Sequence, residues 1–128
     1  MAVKFVAPQV PKPYRVIILG AATQGWCDAS QEERNEKIIP RMMQMFAEWK
    51  ELGAKCIATH DDDLFMVGEP GSPQFMWYLI FEVPSLEALS AMFQAMRETV
   101  DGVHLDKYFR LEGRLGRPFF PLEQAMSD

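Results

Sequence analysis

The stretch FMWYLIFEV, Phe75 to Val83, constrains the fold of this chain more than any other. Seven consecutive apolar residues, rich in aromatic and β-branched types, lie between Gly71-Ser72-Pro73 and Pro84. That is the pattern of a strand near the centre of a sheet. Read with period two, Trp77, Leu79, Phe81 and Val83 make an unbroken apolar face, and Met76, Tyr78, Ile80 and Glu82 a mixed one. Two faces of different character predict two environments: a helix-covered core on one side, a lined cavity or a subunit contact on the other.

With 128 residues, 48% of them hydrophobic and 24% charged, the chain reads as one soluble globular domain. A net charge of −5 without Lys/Arg clusters argues against nucleic acid, where phosphate neutralisation supplies most of the binding. No run approaches the ~18 apolar residues of a membrane span. The N-terminal residues lack a hydrophobic signal region, so a cytoplasmic location is expected. Cys27 and Cys56 form no CxxC pair and imply neither a disulfide framework nor a zinc site. Nine methionines suit an irregular core or an adaptable pocket.

Residues 1–13 hold Pro8, Pro11 and Pro13 and read as an arm; the core is expected over 14–116 and a tail over 117–128. Tyr14 to Gly20 is the first strand, followed by a loop that carries Gly25 and Trp26. Ser30 with Glu33 is a capping-box signature, and Ile38, Met42, Met45, Trp49 and Leu52 form one apolar stripe at helical spacing. Pro40 inside that stripe predicts a kink or break, and Gly53 ends the helix. Ala54 to His60 is the second strand, and 68–73 is a turn region. After the Phe75 strand, Ser85 caps a helix over Leu86 to Val100 that Asp101-Gly102 closes. Lys107 to Arg114 is the last strand.

Strand, helix, strand, strand, helix, strand is the split βαβ, or ferredoxin-like, order of an α+β fold with an antiparallel sheet. Crossover handedness then puts the first and third strands side by side, with both helices on one face. The apolar face of the third strand should meet Trp49 and Phe93. Its mixed face, with Met76 and Ile80, would be a large exposed patch unless a second copy of the chain covered it.

With these elements in place, residues 14–115 resemble the dimeric α+β barrel superfamily, in which two such sheets pack face to face. A Trp in the first loop, the helix start ERNEKIIPRM and the strand MWYLIFEV more closely resemble the darcynin-like proteins. They are also similar to the small accessory protein of bacterial indole-acetate degradation clusters. The resemblance implies a homodimer and a small hydrophobic or aromatic ligand. Its relatives include cofactor-independent monooxygenases and isomerases, haem enzymes and proteins without known activity, so it bears on fold more than on function.

The most suggestive polar cluster is His60-Asp61-Asp62-Asp63. An imidazole can give or take a proton near neutral pH, and Asp62, two residues along an extended strand, would share its face and orient it. The plainer alternative is a solvated strand end with an acidic turn. His104 is a second candidate histidine or an ordinary loop residue. Arg15, Tyr78, Tyr108 and Arg110, with Glu82 and Glu112, would line a cavity or form intersubunit ion pairs. Arg110 would hold an anionic group in the first case. Trp26 suits stacking on an aromatic ligand or packing against the tail. Phosphate loops, GxSxG and HExxH motifs are absent, and no metal or tightly bound cofactor is expected. Two readings follow: a homodimeric enzyme acting on a hydrophobic, aromatic metabolite with His60 as acid or base, or a non-catalytic binding or accessory protein of the same fold.

Overall fold

The computed structural model describes residues 12–61, 75–117 and 120–127. Its strands are β1 (Tyr14–Ala22), β2 (Lys55–Asp61), β3 (Trp77–Val83), β4 (Thr99–Val100), β5 (Val103–His104) and β6 (Phe109–Gly116). Its helices are α1 (Gln24–Asp28), α2 (Gln31–Glu33), α3 (Ile39–Glu51), α4 (Leu86–Arg97), α5 (Leu105–Tyr108) and α6 (Phe120–Met126). One sheet runs in the order β2-β3-β1-β6, every neighbour antiparallel. The expected ferredoxin-like α+β arrangement is therefore present, with β1 and β3 at the centre.

Local chemistry accounts for the helix limits. The Ser30 hydroxyl accepts from the Glu33 N–H at 3.0 Å, and the Ser85 hydroxyl from the Ala88 N–H at 3.0 Å. The Glu33 carboxylate does not return to Ser30; it accepts a hydrogen bond from the Tyr108 hydroxyl at 3.2 Å and ties the helix start to α5. Pro40 does not break the helix. It has no N–H for the carbonyl four residues back, and its ring crowds that carbonyl. The backbone absorbs this by widening into a π-helical turn over Arg34–Ile38, in which the Ile39 N–H reaches the Arg34 carbonyl. Past Glu51, Gly53 N–H bonds the Lys50 carbonyl and Ala54 N–H the Trp49 carbonyl, the two bonds of a Schellman motif.

The core lies between α3, α4 and one face of the sheet. Val16, Ile18, Val83, Met92 and Leu105 are fully buried there, with Trp49 at the seam between the two helices. Trp49 meets Phe81 edge-on at 5.5 Å, as the apolar face of β3 required. Phe93 packs over β6, where a Cβ on Gly113 would come within 2.7 Å of its ring. The missing side chain at Gly113 makes room for it.

Some boundaries differ from those expected: β1 runs on to Ala22, β3 begins at Trp77, and the two largest changes lie after α4. α4 stops at Arg97, and Thr99–Val100 pairs with Val103–His104 as a hairpin. Asp101 (φ 52°) and Gly102 (φ 79°) both take the left-handed conformation of a tight hairpin turn, so this pair turns a ribbon rather than ending a helix. The last strand starts at Phe109, because 105–108 form a helical turn that buries Leu105 and Tyr108. Residues 1–11 of the arm expected over 1–13, and the segment 62–74 with Asp62, lie outside the described residues. Among the described residues no helix is long and apolar enough to cross a membrane.

Candidate functional site

A half-open trough runs between α3 and the β2 edge of the sheet. Its cause lies in side-chain size. The register pairs Cys56 with Phe81, Thr59 with Leu79 and Asp61 with Trp77, so these three β2 residues face the helices. All three are short, whereas α3 opposes them with Met42 and Phe46 (intermediate in burial) and with Lys50. The space that large side chains on β2 would have filled stays open. One end is a cavity of about 420 Å³ bordered by Trp26, Met42, Phe46, Asp61, Trp77 and Phe109. The other, about 530 Å³, is bordered by Lys50, Lys55, Cys56 and Phe81. Phe46, Thr59 and Leu79 border both, so the two are parts of one trough.

The wall of the first cavity is a chain of aromatic rings. Trp26 packs on Phe109 with centroids 5.2 Å apart, and Phe109 meets Trp77 edge-on at 5.8 Å. The two indoles are held from behind. A Cβ at Gly20 would fall within the indole of Trp77, so that ring lies across the bare backbone of β1. Trp26 rides on α1, where sequence alone indicated a loop. The Arg34 guanidinium sits 4.9 Å from the Trp26 ring centroid. Arg34 also donates to the Trp26 carbonyl at 3.0 and 2.7 Å and to the Cys27 carbonyl at 3.1 Å, closing the end of α1. The Thr23 N–H bonds the Tyr108 carbonyl at 2.9 Å, and the Thr23 hydroxyl donates to the Lys107 carbonyl. A rim therefore surrounds an apolar bowl whose polar side chains are those of Thr59 and Asp61.

The residues singled out from sequence are divided between the two faces of the sheet. Trp26 lines the cavity as a stacking residue would. His60 borders the same cavity through its place between Thr59 and Asp61, but its cross-strand partner is Tyr78. The alternation therefore assigns the imidazole and Tyr78 to the open face, with Arg15, Ile17 and Ile80. Arg110 lies on that open face too, its guanidinium 5.0 Å from the Phe75 ring centroid, and it does not border the trough. Tyr108 is not on a strand: it is buried in α5 with its hydroxyl on Glu33. His104 belongs to the hairpin, where its ring nitrogens lie 3.0 and 3.1 Å from the Thr99 hydroxyl. Asp61, which sequence reading passed over for its neighbour, is the carboxylate that faces the trough. An extra residue at Ile57, a β-bulge, sets this parity, and no local signal announces it. Among the described residues, no three His, Cys, Asp or Glu side chains converge as metal ligands.

No protein-family model matches the chain, and no curated protein sequence matches it. A crystal structure of a protein of unknown function from Rhodopseudomonas palustris is similar in fold, with a TM-score of 0.52. The two share 18% sequence identity, over 84% of this chain and 85% of that one. At this identity the likeness bears on the α+β fold alone.

Proposed function

We propose that this chain binds a small hydrophobic, aromatic metabolite in the trough between α3 and the sheet. The observation that carries this reading is the aromatic wall, Trp26–Phe109–Trp77, around a half-open cavity of about 420 Å³. Binding sites for small molecules are concave, mostly apolar and furnished with few polar groups. Calorimetric titration with methylnaphthalene should give saturable binding. Met42→Trp, which fills the bowl from α3, should weaken it by at least about tenfold, as expected when a ring is refused its buried site. Absence of saturable binding to the folded wild-type chain would overturn the reading.

Catalysis without a cofactor is the second reading, favoured by His60 standing across from Tyr78 on the open face of the sheet, one strand position from the trough. On this reading His60→Asn leaves ligand binding intact and lowers turnover of the bound compound by ~10²–10⁴-fold. Unchanged turnover in that variant removes the histidine from the chemistry. A cytoplasmic role in bacterial breakdown of aromatic compounds, as the sequence resemblance implies, suits either reading.

The open face of the sheet supports a homodimer of the barrel type. Ile17, Leu19, Tyr78 and Ile80 form its apolar centre, and the ion pairs Arg15–Glu82 (3.3 Å) and Arg114–Glu112 (3.7 Å) stand around it. An apolar centre with a charged rim is the anatomy of a subunit interface. Sedimentation equilibrium should give a dimer at micromolar concentration, with an interface above ~2,000 Å². Ile80→Lys should return a folded monomer. A wild-type chain that sediments as a monomer excludes this assembly.

A further inference from the structure

The charges around the trough are not evenly placed, and their placement selects among aromatic ligands. Among the described residues that border the Trp26–Trp77 cavity there is no Lys or Arg, and Asp61 is the carboxylate. Asp61 stands directly across the strands from Trp77, so carboxylate and indole belong to one face. Among the described residues Asp61 has no ion-pair partner. Lys50 borders the other end of the trough, and Lys55, about 20 Å along the strand from Asp61, pairs with Glu82 on the open-face side. Arg34 already occupies one face of Trp26, and its guanidinium is spent on the Trp26 and Cys27 carbonyls. The π face left for a ligand beside the carboxylate is that of Trp77.

From this arrangement we infer that the cavity takes an aromatic amine: a flat ring seated in the bowl, with a protonated nitrogen between the Asp61 carboxylate and the Trp77 indole. Resting on the aromatic-ligand reading above, the inference adds the sign of the charge. A cation gains from the ring quadrupole and from the unpaired carboxylate together. A carboxylate ligand in the same pose meets Asp61 with like charge and finds no cation in the wall.

Naphthylmethylamine, methylnaphthalene and naphthoate share one ring system and differ in charge, so they separate the two ideas. Calorimetry on the full chain should rank them amine, hydrocarbon, acid, with the amine at least about tenfold tighter than the acid. Asp61→Asn should reduce that ratio to under about threefold, while Asp61→Glu keeps the preference. Methylnaphthalene binding with no preference for the amine overturns the charge assignment and spares the aromatic site. So does a preference that persists in Asp61→Asn. Failure of all three probes to bind overturns both.

Discussion

Trp49→Ala is expected to cost ~3–5 kcal/mol, a large share of the ~5–15 kcal/mol that stabilises a domain of this kind. Trp49 is 1% exposed and stands where α3, α4 and β3 meet. Its indole N–H donates to the Met92 carbonyl of α4 at 3.0 Å, and its ring meets Phe46 at 5.2 Å and Phe81 at 5.5 Å, both edge-on. Truncation leaves a void between two helices that cannot close without dragging Phe46, itself a wall of the trough. Trp49→Phe keeps most of the apolar volume and loses chiefly the hydrogen bond, so a smaller loss of ~1–2 kcal/mol is expected. Urea melts of the two variants test the order; equal losses would mean that packing at this seam contributes little.

Gly20→Ala should damage the site more than the fold. An added Cβ would occupy the position of the Trp77 indole, and β1, paired on both sides, has no freedom to retreat. The indole must swing off the backbone, and the space open to it is the cavity it lines. Overpacking of this sort costs ~1–3 kcal/mol. Methylnaphthalene binding should fall below detection, because the displaced ring occupies its place. Trp77→Leu in the Gly20→Ala background should recover stability, with a coupling of ~0.5–3 kcal/mol in the double-mutant cycle. Normal ligand affinity in Gly20→Ala would show that the Trp77 ring does not depend on the glycine behind it.

Much of this architecture was legible along the chain, because the deciding forces act within a few residues. The caps at Ser30 and Ser85, the stop at Gly53 and the stripe through Met45 and Trp49 are contacts between neighbours in sequence, and each is present. Alternation in Trp77 to Val83 likewise assigned one face to the core, since side chains on a strand have no other choice. The order of elements then led to the ferredoxin-like sheet through crossover handedness.

Ambiguity began where one residue pattern satisfies two geometries. Val100 fits the end of a helical stripe as well as a hairpin, and Asp101-Gly102 serves as a helix stop or as a tight turn. The burial of Val103 and Leu105 against the core settles it in favour of the hairpin. The site was less legible still. Trp26 could be singled out as an isolated aromatic beside a glycine, but Asp61, Thr59 and Trp77 acquire their roles only through the pairing of β2 with β3. A single bulge at Ile57 decides which of His60 and Asp61 faces the helices, and it depends on strands that meet only in the folded chain. Local sequence determined the elements and their buried faces, because propensity and periodicity are short-range. Tertiary structure alone decided the trough, because an unfilled space is set by the sizes of side chains that face each other from distant segments.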